Sequence, residues 1–199
     1  MTALGGLVRF PELTTDRLRL RGLRPTDAEA IHSIKSDPLV TAAYGREPYL
    51  TLSESEEWIA GRVANFLDGV SIMWGITLRD QDRVIGTCCF WNFDPDTQVT
   101  EVGYELARAN WGQGIASEAV GATLPLGFRE LGLHRIAGCP ASSNRGSIRV
   151  LQKLGFLEEG KLRQRLFFQG RYLDLLYFGL LRDQWSMRSG PAGQGEGRP

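Results

Sequence analysis

Histidine and cysteine are scarce in this chain, two and three in 199 residues. Cys88, Cys89 and Cys139 form neither a Cys-x-x-Cys pair nor a Cys/His cluster, and His32 and His134 stand far apart. That spacing argues against a disulfide framework and against a zinc site, and it offers no histidine triad. A reducing cytoplasm is the expected location. No sign of charge is in excess, since 23 Lys and Arg meet 23 Asp and Glu. Gripping nucleic acid through its phosphates needs a local basic surplus, and none stands out, so no nucleic-acid partner is expected. No apolar run approaches the ~20 residues of a membrane span, so no membrane association is expected. Residues 1–10 also lack the basic start and long apolar stretch of a signal peptide.

What remains is an average soluble composition, 42% hydrophobic and 23% charged, in a chain long enough to bury one substantial core. Residues 12–185 read as a single domain. Residues 186–199, almost all Gly, Pro and polar from Ser189 on, read as a flexible tail.

The alternation Asp16-Arg17-Leu18-Arg19-Leu20-Arg21 predicts a strand with one buried face. Pro25-Thr26-Asp27 opens a helix that carries Ala28, Ile31 and Ile34 inward. A second helix is expected after Ser53, with Glu56 completing a capping box and Trp58, Ile59, Val63 and Phe66 as its apolar stripe. Strands follow at Ile72–Leu78, Val84–Trp91 and Thr100–Leu106, the first two joined by the polar turn at 79–82. A glycine loop at 110–116 leads into a helix over 116–130, where Pro125 predicts a kink. Arg135–Cys139 is a short buried strand, Ser147–Leu154 a short helix ended by Gly155, and Leu157–Phe168 with Tyr172–Leu181 a final hairpin. These elements imply a mixed α/β sheet covered by helices.

The loop carries the chemistry. Gly112-x-Gly114 lies directly between a strand and a helix, where missing Cβ atoms and the free amides of Gln113, Gly114, Ile115, Ala116 and Ser117 can cradle a phosphate. A P-loop would need Gly-Lys-Ser/Thr where Gly114-Ile115-Ala116 stands. A Rossmann fingerprint would need Gly or Ala where Ser117 stands, and an acidic residue where the 133–135 region stands. A coenzyme A pyrophosphate loop needs only the glycine turn and the helix start, and both are present. A glycine turn that merely ends a strand is the competing structural account.

In order and spacing, several further segments resemble the GNAT N-acetyltransferases, and within them the RimJ/RimL-type group that acetylates ribosomal-protein N-termini. They are Leu13-Thr14-Thr15-Asp16-Arg17-Leu18-Arg19-Leu20-Arg21, Glu101-Val102-Gly103-Tyr104, and Trp111 through Ala119. Asn144 through Phe156, Glu159-Gly160 and Gly170-Arg171-Tyr172-Leu173-Asp174 complete the set. The resemblance implies the acyl-CoA N-acyltransferase fold, a mostly antiparallel mixed sheet splayed between its fourth and fifth strands and flanked by helices. It implies acetyl-CoA as cosubstrate, with Tyr104–Leu106 lining the pantetheine arm, Gln113–Ser117 holding the pyrophosphate, and Asn144 contacting the arm.

The implied reaction is attack of a primary amine on a thioester, the amine being a protein or peptide N-terminal α-amino group, a small amine such as a polyamine, aminoglycoside or amino acid, or nothing in a coenzyme-binding module without turnover. Glu101 is the candidate base and Glu105, on the same strand face, its competitor; an orienting role is the other account of Glu101. A backbone amide at or near Leu106 could polarise the thioester carbonyl. Where many GNAT enzymes place a tyrosine to protonate the leaving thiolate, this chain has Leu151, and the RimJ/RimL resemblance puts Ser147 in that task. Asn144 and Ser147 could equally cap the helix that starts there. Trp111 packs the loop, while Trp91, Phe93, Phe167, Tyr172 and Asp174 are candidates to shape the acceptor pocket. The cysteines and histidines are read as structural. An exposed final hairpin could support a homodimer.

Overall fold

The computed structural model describes residues 4, 7 and 9–189. Eight strands form one sheet in the order β1-β2-β3-β4-β5-β6-β8-β7. They span Leu13–Thr14 (β1), Leu18–Gly22 (β2), Ile72–Leu78 (β3), Val84–Asp94 (β4), Val99–Leu106 (β5), Arg135–Gly138 (β6), Leu157–Phe168 (β7) and Arg171–Leu181 (β8). Every neighbouring pair is antiparallel except β5 and β6. The helices are Ala28–Lys35 (α1), Pro38–Ala42 (α2), Leu52–Leu67 (α3), Ile115–Pro125 (α4), Arg145–Leu154 (α5) and Arg182–Ser189 (α6). The last of these has no counterpart among the expected elements. It includes residues 186–189 of the segment read as a tail, and the rest of that segment lies outside the described residues.

Both faces of the sheet are covered. One core joins Leu18, Leu20, Trp74, Phe90, Val102 and Leu106 to Ile115, Ala119 and Val120 of α4 and to Ile148 and Leu151 of α5. A second packs Ile31 and Ile34 of α1 and Ile59 of α3 against Val84. The one-faced strand expected from the Leu-Arg alternation is therefore corrected at Arg21, whose side chain is only 1% exposed beneath the second helical layer.

Two local expectations shift. The capping box of α3 is Thr51 with Glu54, not Ser53 with Glu56. The template Ser/Thr-x-x-Glu occurs twice in overlap, and Glu54 Oε2 takes the amides of both Leu50 and Thr51 at 2.8 Å, satisfying two donors at once. At Pro125 the helix gives way to a wide π turn over Leu126–Glu130, closed by Leu131 N donating to Leu126 O across five residues.

The parallel pair is the opening in the sheet. β5 and β6 meet only at Val99↔Arg135, Thr100↔Ile136 and Glu101↔Ala137. Past Gly138 the chain follows β8 instead, since Leu176 N donates to Pro140 O and Ser142 N to Asp174 O, both at 2.9 Å. Pro140 has no amide with which to continue a ladder toward β5. The edge of β5 from Val102 to Leu106 is left without a strand neighbour among the described residues.

Candidate active site

At the end of β5 the chain turns through Arg108–Asn110 and enters the loop before α4. Gly112 and Gly114 adopt φ of +74° and +77°, a backbone that side-chain-bearing residues avoid, and Gly114 caps α4 without a side chain. The first ladder bond of the helix is Glu118 N to Gly114 O at 3.0 Å, so no backbone partner for the amides of Gln113 to Ser117 is present among the described residues. Trp111 fastens the loop to the strand, its Nε1 donating to Leu106 O at 2.9 Å.

A brace unforeseen from the motif holds this loop. Glu118 lies in the first turn of α4, where a free carboxylate would oppose an anion. Thr15 donates to its Oε1 at 2.5 Å, and Arg17 gives it both a backbone amide at 3.2 Å and Nε at 2.6 Å. Arg17 Nη1 also binds Gln113 O at 3.1 Å. Burial acts to raise the Glu118 pKa, but the Thr15 and Arg17 bonds outweigh it and hold the group below its ordinary value.

Successive residues of β5 face opposite layers. Glu101, Gly103 and Glu105 face the α1–α3 side. Glu101 sits at the last paired position before the opening, and Asn92 Nδ2 donates to its Oε1 at 2.8 Å. Asn92 occupies a bulge in β4 with φ of +53°, a conformation Asn tolerates better than most residues. Glu105 is engaged differently: Lys35 Nζ lies 2.8 Å from its Oε1, both side chains are 8% exposed, and Thr87 donates to the same oxygen at 3.2 Å. The Lys35 ammonium in turn lies 4.0 Å from the centroid of the Trp58 ring.

Val102, Tyr104 and Leu106 face α4 and α5. The Tyr104 hydroxyl lies 2.7 Å from Ser147 Oγ and 3.1 Å from Ser147 O, bridging β5 to the start of α5. Burial raises the Tyr104 pKa, partly offset by the Ser147 bond, so the phenol stays protonated. Asn144 caps α5, its Oδ1 accepting from Ser147 N at 3.0 Å and its Nδ2 donating to Ala43 O at 3.1 Å. Leu151, at the usual tyrosine position, is a core side chain packed against Gly138.

Of the remaining candidates, Phe93 packs against the main core, Trp91 is exposed, and the His134 amide bonds Gln98 O at 2.9 Å. Burial pushes the Cys139 thiol up to about 12, with Glu101 adding to the shift and Arg135 opposing it, so it carries little thiolate at neutral pH. Burial likewise raises Cys88, and Cys89 to about 12. His32 Nδ1 lies 3.4 Å from Ser55 Oγ between α1 and α3. Phe167 and Tyr172 pack on each other along the hairpin at 4.9 Å, and Asp174 pairs with Lys161 at 2.7 Å. Among the described residues no cluster of three or more His, Cys, Asp or Glu could hold a metal, and no helix is long and apolar enough to cross a membrane.

A glycine loop with free amides, an unpaired strand edge beside it and a carboxylate at the mouth of the gap suit a nucleotide-linked thioester and an amine. The family comparison agrees, because the model of the acetyltransferase (GNAT) domain matches residues 17–157. The chain belongs to the GNAT acetyltransferase family. The uncharacterized N-acetyltransferase p20 of Bacillus licheniformis is 36% identical over 174 residues, 87% of this chain and 98% of that protein. A solved GNAT acetyltransferase from Bacillus anthracis superposes with a TM-score of 0.77 at 25% identity, covering 87% of this chain and 99% of that one. RimL, a ribosomal L7/L12 α-N-protein acetyltransferase solved in complex with coenzyme A, shares the fold with a TM-score of 0.79 at 21% identity, over 87% and 99%. This acetyltransferase is thus an acetyl-CoA-dependent enzyme built on a splayed, mostly antiparallel sheet.

Proposed function

We propose that this enzyme acetylates the α-amino group of a protein or peptide N-terminus, as the RimJ/RimL-type group does. The observation that carries the reading is the Glu101 carboxylate, held by Asn92 at the mouth of the opening with its second oxygen unpartnered among the described residues. In this reading the amides of Gln113, Gly114, Ile115, Ala116 and Ser117 hold the diphosphate, aided by the positive end of α4. The free edge of β5 from Tyr104 to Leu106 lies along the pantetheine arm, with Asn144 at its far side. Acetyl-CoA brings the activated acetyl group. Glu101, directly or through one water, takes a proton from the acceptor ammonium, and the freed amine attacks the carbonyl carbon. An amide of the unpaired β5 edge receives the oxyanion. As the intermediate collapses, Ser147, oriented by Tyr104, gives its proton to the departing thiolate and regains one from the attacking nitrogen, which leaves a neutral acetamide and free coenzyme A.

Acidity and charge support this acceptor class. An α-ammonium has a pKa of about 7.7–8.0 against about 10.4 for lysine, so a modest base is sufficient. A polyamine would need several unspent carboxylates. Here Glu105 is neutralised by Lys35, Glu54 is tied up in the α3 cap, and Asp94 accepts the amides of Asp96 and Thr97 in a turn. Bacillus subtilis YdaF, whose name assigns it provisionally to ribosomal N-acetylation, is 38% identical over 100 residues, 50% of this chain and 55% of its own. The spermidine N(1)-acetyltransferase of Vibrio cholerae is more distant at 25% over 173 residues and is the namesake of the rival reading. Thiol release from acetyl-CoA, measured with free peptides, the same peptides blocked at the N-terminus, and spermidine, separates the readings. Turnover is expected with free peptides alone. Turnover confined to spermidine, or tight coenzyme binding with no turnover at all, overturns the proposal.

Arg17 tests the cradle. Replacing it by Ala releases the Gln113 carbonyl and leaves Glu118 beside the diphosphate with only neutral donors, the Thr15 hydroxyl and the residue-17 amide. Because Arg17 is 51% exposed, the pair itself contributes little, and coenzyme A affinity should fall only about fivefold by calorimetry. Unchanged affinity would remove the brace from the binding account.

A further inference from the structure

Helix α3 carries an arginine that the reaction above does not use. Arg62 lies one turn beyond Trp58, with its guanidinium carbon 5.8 Å from the Trp58 ring centroid. That ring lies against Lys35, and Lys35 grips Glu105, so the four side chains form a row on the β5 face that also carries Glu101. Arg62 Nε is buried and has no hydrogen-bond partner among the described residues. A buried N–H left this way costs free energy unless something binds there. Glu105 is committed to Lys35 and Glu54 to the cap of α3, while Glu101 gives one oxygen to Asn92 and makes no bond to Arg62 among the described residues.

The guanidinium stands beside Trp58, on the sheet face that carries Glu105 and Glu101. Its charge acts on Tyr49 and on Cys89, and Cys89 is the cross-strand partner of Gly103, the residue between Glu101 and Glu105. Gly103 adds no side chain of its own there, and Cys89 and Trp91 close over it: an added Cβ would meet Cys89 Sγ at 2.9 Å and Trp91 Nε1 at 3.6 Å. Trp91, 48% exposed, forms one border. Lys35 and Glu105 cancel, and beside Arg46, whose charge also acts on Tyr44 and Tyr49, the face carries a carboxylate, Glu101, and a guanidinium, Arg62. A group that is cationic at its amine and anionic nearby complements both.

We propose that Arg62 binds a carboxylate of the acceptor, so that the preferred substrate is a peptide whose free α-amine is followed closely by Asp or Glu. The inference rests on the N-terminal reading above. The planar fork of arginine matches a carboxylate with two parallel hydrogen bonds, and the buried Nε is a donor of that fork left open among the described residues.

The test compares two short peptides that differ only in carrying Asp and Glu, or Asn and Gln, after the first residue. The acidic peptide should have a KM about tenfold lower at similar kcat, the effect of one charge-assisted hydrogen bond. In Arg62→Gln the two KM values should converge while coenzyme A affinity stays as in the wild type. Equal KM values in the wild type overturn the proposal, as does a variant that raises both equally or weakens coenzyme binding. If Arg62→Gln does not fold, the wild-type comparison alone decides. Turnover of both peptides without discrimination sinks only the role of Arg62, whereas turnover of small amines and no peptide sinks the N-terminal reading with it.

Discussion

Glu101→Gln should lower kcat by about a hundredfold or more, the usual contribution of a positioned general base, while coenzyme A affinity changes little. Glutamine keeps the side-chain volume and can still accept from Asn92 Nδ2, so the bulge in β4 and the opening beside it are preserved. What disappears is the ability to take the ammonium proton. The rate should then depend on the fraction of acceptor that is already neutral, and the slope of kcat/KM against pH should follow the amine. Glu105→Gln is the informative control, because it strands the Lys35 ammonium at 8% exposure and so shows itself as lost thermal stability. Turnover of Glu101→Gln within about twofold of wild type at every pH would remove this carboxylate from the base role.

Arg21→Met should destabilise the fold by about 3–5 kcal/mol, the cost of breaking a buried ion pair by removing one partner. With about 2–4 °C per kcal/mol in a chain of this size, Tm should fall by about 10 °C in a calorimetric scan. All five N–H groups of Arg21 are used: two on the Asp27 carboxylate at 2.8 Å, one on Asp82 Oδ1 at 2.8 Å, and one each on Gly22 O and Asp82 O at 3.0 and 2.7 Å. Methionine fills much of the space but leaves Asp27 with only the Arg24 amide. The Asp27 bonds raise the Arg21 pKa against the opposing effect of burial. The Arg21 bond also depresses the exposed Asp82 below its ordinary value of 3.8, so that contact is complete above that pH and is lost as pH falls through the lower folded value. In the variant this acid limb should flatten. A Tm within about 2 °C of wild type would show the network to be dispensable.

Much of the site was legible because its determinants are local. The left-handed Gly112 and Gly114, the free amides after them and the cap formed by Asn144 depend on residues within a turn of one another, and the resemblance to GNAT acetyltransferases drew on those same short stretches. The competition between Glu101 and Glu105 stayed open at that level, since both share a strand face and only a partner distinguishes them. That partner for Glu105 is Lys35, seventy residues away. Ser147 as cap or as acid was also undecidable along the chain; Asn144 takes the cap, and Tyr104 comes to the hydroxyl from β5. The α3 cap was displaced by two residues because two copies of one template overlap and only the surrounding amides choose between them.

By itself, then, the order of residues determined the strand–glycine–helix unit, the layers of the sheet and the left-handed glycines of its loop, because periodicity, capping and backbone sterics act within a few positions. The tertiary structure alone decided which charges cancel, which carboxylate keeps a free oxygen, and that Arg62 Nε is buried without a protein partner among the described residues. Those outcomes turn on sheet register and on which helix covers which face, and burial makes them matter, since an ion pair or an unmade hydrogen bond carries weight only where water is excluded.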